Sequence, residues 1–428
     1  MGYFDEYHLD SRFKSTRTGY HPGDPRYHYH VVMDWDQRRT ITVGTSEEKD
    51  EDFVFEALNE HIDDLPEDVV CIIVSNDFEL LSSFTDSALD RTLIPYYPEP
   101  LDFPAHLPTI RRSQLTEIDR LGVQTDRVIY EPAPGETKQA VFKYYINEGN
   151  TAMVWHEINC TSGIPSHPNI VSFDRLVVDS AGPGFPDKVV GFTTPFIPGG
   201  TIKDDINRVF KLQHLRQLLT VIDYLNLRLG IVHGDICTWN LLIDPETDEL
   251  KVFDFNLASK LGWEGDKKNH GTFGYEEERN DVKLAAFTLY EIITQDLSFR
   301  EEHYQEDLDI SMVLQKEEWV RHPDVHLEEG VEVSEYRRVL EDWVQTRRSV
   351  DAQLKDYKQA PEFIDWPSSP PRFPVLDDEE WAMFAGRYRM RQMLIKRGEP
   401  FIKWVRPPST DLPLPEGQRL LATGEIVG

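Results

Sequence analysis

Residues 231–260 read IVHGDICTWNLLIDPETDELKVFDFNLASK. An apolar strand end leads into His233, Gly234 and Asp235; Asn240 follows five positions after Asp235, and Asp254 opens a second triplet, DFN, behind another apolar strand. Three spaced polar residues thus stand among hydrophobic strands. Phosphoryl transfer requires a carboxylate to orient or deprotonate the attacking hydroxyl. It also requires an amide and a second carboxylate to hold Mg²⁺ against nucleotide phosphates. Asp235, Asn240 and Asp254 supply those residue types.

In HGDICTWN and DFN the chain resembles the protein-kinase-like superfamily, whose catalytic loop H-R-D-x-x-x-x-N and D-F-G motif flank a hairpin. The resemblance continues outward. AVFKYY is similar to the strand carrying the nucleotide lysine, here Lys143, and MVWHEIN to the helix carrying its partner, here Glu157. HPNIVSF follows at the family's usual distance. VVGFTTPFIPGGTI resembles the fifth strand and hinge, with Thr194 as gatekeeper and Ile197 facing an adenine edge. Downstream, GTFGYEEERNDVKLAAFTLYEIIT resembles the end of an activation segment and the buried helix whose Asp281 anchors the catalytic loop. The resemblance spans roughly residues 110–350, and the general architecture resembles divergent kinase-like proteins of filamentous fungi.

Taken alone, each element is ordinary: a strand lysine is usually a solvated edge charge, and HGD suits any turn. Their order and spacing carry the argument. The resemblance implies ATP and Mg²⁺ as cofactors, Asp235 as base, Asn240 and Asp254 as Mg²⁺ ligands, and Lys143, held by Glu157, on the α- and β-phosphates. It makes His233 scaffold, packing the loop against Phe255 and the Asp281 helix.

Several positions depart from the family pattern. LGVQTDRVIY aligns with the glycine-rich loop but keeps only Gly122; Gln124 and Arg127 stand where further glycines belong, which weakens or reshapes a phosphate cradle built from backbone N–H groups. Gly234 replaces the arginine of H-R-D, so a phosphate on the activation segment finds no grip there. Cys237 replaces the lysine that protein kinases carry two residues beyond the aspartate. Asn256 replaces the glycine of D-F-G, a mild change because Asn tolerates left-handed backbone. Only nine positions separate Thr272 from Asp281, so the platform for a peptide substrate is shortened, and Glu277 or Glu278 is left to make its structural ion pair.

The whole chain has 428 residues and is 39% hydrophobic, enough for two or three domains with a sizeable core. Its formal net charge of −31 repels phosphate backbones and anionic lipid, which argues against a nucleic-acid partner even though RYRMRQMLIKRG is locally basic. Cys71, Cys160 and Cys237 are far apart and form no CxxC pair, which fits a reducing compartment. No signal peptide, lipidation motif or long apolar run is visible, so a cytoplasmic or nuclear protein without a membrane partner is expected.

Coarse patterning gives an α+β protein with a β-rich N-lobe and an α-rich C-lobe. Residues 1–91 read as an α/β extension, with strands at YHYHVVMDW, RRTITVG and VVCIIVSN. A helix at EDFVFEALNEHIDDL has Val54, Leu58, Ile62 and Leu65 on one face. Residues 92–108, with five prolines in seventeen positions, read as a linker. Residues 109–200 form the N-lobe and hinge; residues 201–350 form the C-lobe, including helices at INRVFKLQHLRQLLTVIDYLNLRL and SEYRRVLEDWVQTRRS. In the latter, Ser334 is the expected N-cap and Tyr336, Val339, Leu340, Trp343 and Val344 the core stripe. Residues 351–428 form a tail whose helix is either docked on the acidic body or free for a partner. Two readings of function follow. The first is an ATP- and Mg²⁺-dependent phosphotransferase acting on a hydroxyl of a protein or small molecule. The alternative is a pseudokinase serving as a nucleotide-binding or scaffold module.

Overall fold

The strand signals near the N-terminus build one sheet. The computed structural model describes residues 12–21, 24–35, 37–62, 64–94, 96–146, 151–204, 208–265, 273–351, 353–367, 384–404, 419–420 and 426–427. Strands β1 (Phe13–His21), β2 (Asp24–Asp34), β3 (Arg39–Thr45), β4 (Cys71–Val74) and β5 (Leu80–Phe84) lie side by side in sequence order. All neighbours are antiparallel except β3 and β4, whose parallel pairing needs a crossover; helix α1 (Glu51–His61) supplies it. Asp50 caps α1 by accepting the Phe53 N–H at 3.0 Å. Val54, Leu58 and Ile62 are buried against Val32, Ile41, Val43 and Ile72, with Leu65 half-buried beside them, the face expected from their spacing.

A second sheet follows, made of β6 (Thr109–Arg111), β7 (Thr116–Gly122), β8 (Thr125–Tyr130), β9 (Lys138–Tyr144), β10 (Arg175–Ser180) and β11 (Asp187–Pro195), in the order β6-β10-β11-β9-β8-β7. Arg38, in the β2–β3 turn, is buried and contacts Glu117 on β7 and Asp126 on β8, both at 2.6 Å, with its guanidinium 5.0 Å from the Tyr144 ring. Burial, with Glu117 adding to it and Arg38 resisting, pushes the Asp126 carboxyl up to about 7. The proline-rich segment is laid along the same sheet: Val189 N–H donates to the Pro98 carbonyl at 2.7 Å and the Tyr97 hydroxyl to the Tyr145 carbonyl at 2.6 Å.

Helix α2 (Thr151–Gly163) precedes the helical part of the chain, α3 (Leu212–Asp223), α4 (Asp281–Thr294), α5 (Ser298–Glu302), α6 (Ile310–Leu314) and α7 (Val333–Asp351). Two expected helices have different limits. Helix α3 begins at Leu212 because Phe210 donates its N–H to the His326 carbonyl at 2.8 Å, keeping the chain extended, and His214 Nδ1 accepts the Lys211 N–H at 3.0 Å. It gives way to a π-turn, Tyr224–Arg228. Helix α7 starts at Val333, so Ser334 lies in its first turn rather than at the cap. Its stripe is core: Tyr336, Leu340 and Val344 are buried, and Val339 and Trp343 pack against them.

Tail helix α8 (Phe384–Lys396) docks on the turn Ser87–Leu89: Arg391 is buried and donates to the Ala88 carbonyl at 2.7 Å, while the Tyr388 hydroxyl donates to Asp86 at 2.5 Å. The acidic run DDEE at 377–380, ahead of this helix in the sequence, lies outside the described residues. The chain divides into a sheet-rich unit, residues 1–152, 174–194 and 371–428, and a mainly helical unit, residues 153–173 and 195–370. This is the α+β, two-lobe composition that the kinase-like motifs imply.

Candidate active site

Strand β12 (Ile231–Val232) delivers the HGD triplet, and its register with β15 (Ser259–Lys260), Ile231 opposite Lys260 and Val232 opposite Ser259, ties that loop to the segment after DFN. Asp281, buried at the first turn of α4, accepts the backbone N–H of His233 at 2.8 Å and of Gly234 at 2.9 Å. Gly234 has φ 76°, and a Cβ there would lie 2.6 Å from the Leu257 carbonyl oxygen, so glycine relieves both backbone strain and a collision. His233 is fully buried. Its Nδ1 accepts the Asp235 N–H at 3.3 Å, which leaves the proton on Nε2 to be donated to the Phe253 carbonyl at 2.9 Å; the ring lies 4.8 Å from that of Phe255. These are scaffold contacts.

Asn240 closes the 3₁₀ turn Thr238–Asn240 and donates its side-chain amide to the Asp235 carbonyl at 2.9 Å and to the Asp235 carboxylate at 2.8 Å. Strands β13 (Leu241–Asp244) and β14 (Glu249–Val252) pair with Leu241 opposite Val252, and the Phe253 N–H bonds the Asn240 carbonyl at 3.2 Å. That register puts Asp254 next to Asn240 although fourteen positions separate them in the sequence. Asp254 is left-handed, φ 66° and ψ 73°, a conformation uncommon for a residue other than glycine and concentrated at functional sites. The left-handed residue of DFN is therefore Asp254; Asn256 does not take positive φ, so the expected reason for its tolerance does not apply.

In the sheet-rich unit, Lys143 on β9 is half-buried opposite Thr125 on β8, and Gly122 pairs with Thr125 across a two-residue turn, Val123–Gln124. Lys143 is thereby set beside the β7–β8 hairpin. Gln124 is left-handed, φ 59°, and Arg127 donates to the Gln139 side chain at 2.7 Å. A Cβ at Gly191 on β11 would collide with the Lys143 carbonyl, so that glycine lets the neighbouring strands close at this point. Thr194 is half-buried near the end of β11. In the helical unit, Glu157 is buried on α2, and half-buried Ile197 lines a cavity of about 300 Å³ with Ile170, Val171, Asp244, Glu246 and Lys251.

Of the segment leading to α4, Thr272 lies outside the described residues. Glu276 makes an exposed local pair with Arg279 at 2.8 Å, and Glu277 accepts the Tyr275 hydroxyl at 2.6 Å. Among the described residues neither Glu277 nor Glu278, the two candidates for the structural ion pair, forms one. Burial, with Asp235 adding to it, pushes the Cys237 thiol up to about 12, so the residue in the lysine position is a neutral thiol.

Sequence reasoning missed the support behind Asp281. Asn226, buried within the π-turn, donates to Asp281 at 2.8 Å and to the Ile231 carbonyl at 2.8 Å, and its own oxygen accepts from Arg347 on α7 at 2.9 Å. Arg347 also pairs with Asp223 at 2.7 Å. Arg279 reaches the Gly234 carbonyl at 3.4 Å. No local pattern marks these residues.

Residues 137–341 match the protein kinase domain family model. Over 108 residues the chain is 31% identical to a protein of Zea mays described as a "Probable serine/threonine-protein kinase", a match covering 24% of this chain and 16% of the relative. Among the described residues no helix is long and apolar enough to cross a membrane. With the two-unit fold and the ordered HGD and DFN segments, the match at residues 137–341, just under half of the chain, supports a protein-kinase-like domain in this part of the chain.

Proposed function

We propose that the chain is an ATP- and Mg²⁺-dependent phosphotransferase that moves the γ-phosphoryl group to a hydroxyl of a protein or small molecule. The observation that carries this reading is the pair of bonds from the Asn240 amide to Asp235, beside a hairpin register that sets Asp254 next to Asn240. Asp235 takes the acceptor's proton; the acceptor oxygen bonds the γ-phosphorus as the bond to the β–γ bridging oxygen breaks, releasing ADP. Because Asn240 spends its amide hydrogens on Asp235, its Oδ1 is the hard oxygen left for a cation, alongside the Asp254 carboxylate. One carboxylate and one amide oxygen suit Mg²⁺, which keeps waters and takes its remaining ligands from phosphates. Bound there, the ion would neutralise charge developing on the leaving phosphate. By the kinase resemblance Lys143 would hold the α- and β-phosphates with Glu157 as its partner, Gly122 would lie over the nucleotide, and Thr194 and Ile197 would border its adenine.

One observation favours a second reading, a pseudokinase used as a nucleotide-binding or scaffold module: the β7–β8 hairpin closes through only two residues, with the Arg127 side chain directed to Gln139. Two measurements separate the readings. Thermal midpoints are recorded with Mg²⁺, ATP and both, since a ligand of the folded state raises the midpoint by mass action. ATP turnover is then compared between wild type and Asp235→Asn. A joint shift that disappears in Lys143→Ala, with turnover lost in Asp235→Asn, supports the enzyme; a shift with equal turnover in both proteins supports the module.

A further inference from the structure

In the helical unit, three separate stretches of chain converge on the ring of His156, which is fully buried on α2 one position before Glu157. The Trp366 indole N–H donates to His156 Nδ1 at 3.2 Å, so the ring carries its proton on Nε2 and donates it to the Ala258 carbonyl at 2.5 Å, four residues after Asp254. Phe273, on the far side of the DFN segment, stacks on the same ring at 4.1 Å and 9°.

Trp366 ends a stretch, residues 353–367, that is fastened along its length. Tyr357 N–H bonds the Leu261 carbonyl at 2.8 Å, Glu362 N–H the Arg228 carbonyl at 3.0 Å and Ile364 N–H the Leu229 carbonyl at 3.1 Å, while Glu362 pairs with Arg228 at 2.5 Å. Lys260, in β15, donates to Asp365 at 2.8 Å and to the Trp366 carbonyl at 3.1 Å, and lies 5.3 Å from the Trp366 ring. At the end of α2, a Cβ on Gly163 would meet Ile364 at 3.1 Å, so glycine admits the strap there. The strap therefore touches α2 at His156 and again at Gly163, about two turns further on, which opposes both rolling and sliding of the helix.

We propose that residues 353–367 are a strap that positions helix α2, and with it Glu157, against the chain following Asp254, and that Trp366 is its positioning residue, acting through His156. The proposal rests on the phosphotransferase reading for its consequence. Kinase activity requires the lysine–glutamate pair and the metal-binding aspartate in place together, commonly under control of activation-segment phosphorylation. Here Gly234 removes the arginine that would grip such a phosphate. The strap lies beyond the residues matched to the family, 137–341, and holds the same two elements by fixed contacts. Positioning of α2 is then built in rather than switched.

Trp366→Phe removes the N–H and keeps an aromatic, though smaller, ring. In the full chain, the expected result is amide exchange about tenfold faster in residues 153–163, about the effect of one hydrogen bond, with α4 and α7 unchanged, and Mg²⁺–ATP affinity lowered about tenfold. Unchanged exchange in α2 overturns the proposal. So does exchange that rises equally in α2, α4 and α7, because Trp366 is then general core, and so does faster α2 exchange with unaltered Mg²⁺–ATP affinity in a protein whose wild type binds it. If the wild type binds no Mg²⁺–ATP, the phosphotransferase reading fails separately, and faster exchange confined to α2 still supports the strap.

Discussion

The carboxylate of Asp281 takes the backbone N–H of His233 at 2.8 Å, so the first turn of a buried helix holds the residue two positions before Asp235. The same carboxylate holds Gly234 and is itself held by Asn226, whose oxygen accepts from Arg347. Loop geometry is thus set from beneath by α4 and α7, leaving the Asp235 side chain to meet Asn240.

Asp281→Ala removes the acceptor of three buried donors at once. Hydrogen bonds to a charged group contribute about 1.5–3 kcal/mol each, though not additively, so a loss of roughly 3–5 kcal/mol is expected in urea unfolding with unchanged m-value. A loss under about 1 kcal/mol would show that water satisfies those N–H groups and that the latch is incidental.

Gly234→Ala tests whether the glycine answers a backbone need. At φ 76° a side chain costs about 1–2 kcal/mol, and the Cβ would press on the Leu257 carbonyl. Destabilisation of roughly 2 kcal/mol or more is expected from chemical denaturation; if the chain is the proposed phosphotransferase, turnover should fall further than stability because the loop shifts at Asp235. A stable, fully active alanine variant would mean the loop relaxes without disturbing its neighbours.

Arg38 joins the N-terminal sheet to the β7–β8 hairpin through two buried carboxylates, Glu117 and Asp126. Arg38→Leu leaves the buried Glu117 carboxylate, and the charged fraction of Asp126, uncompensated and should cost about 3–5 kcal/mol at pH 7. The triple variant Arg38→Leu, Glu117→Leu, Asp126→Leu should recover most of that loss, since apolar replacement removes the stranded charges. A neutral single variant by calorimetry would mean that both carboxyls take up protons when Arg38 is removed and that the ion pairs add no net stability.

His156 gives stability a pH dependence with a definite sign. Burial, with Lys260 nearby, lowers its pKa from 6.5 to about 4, against a bond to the Ala258 carbonyl. Between those values the unfolded chain binds the proton and the folded one does not, so stability is complete above about pH 6.5 and is lost as pH falls toward 4, by about 3 kcal/mol over the window. His156→Gln, which does not titrate, should be less stable at pH 7 but lack this component of the pH slope. Parallel wild-type and variant curves across pH 4–7 would contradict the assignment.

Much of the site was legible because its signals are local. HGD, the asparagine five residues beyond the aspartate and DFN sit on strand ends whose apolar flanks are continuous in sequence, and hairpin register follows from that pattern. The stripes Val54–Leu58–Ile62 and Tyr336–Leu340–Val344 were readable for the same reason: helix periodicity repeats every few residues. Boundaries were less legible. Helix α3 starts six residues later than its apolar pattern because Phe210 pairs with chain more than a hundred positions away, and Ser334 loses the cap to a helix that begins at Val333.

What the sequence determined by itself is the order of chemical groups: a base candidate, an amide, a second carboxylate, a strand lysine and a helix glutamate, each on the right kind of local structure. Folding supplied the pairings that hold them. Arg38 meets Glu117 across 79 residues, Asn226 meets Asp281 across 55, Arg347 meets Asn226 across 121 and Trp366 meets His156 across 210. Such pairs leave no periodic trace, because each depends on two distant segments being brought into van der Waals contact by the burial of apolar surface elsewhere in the chain.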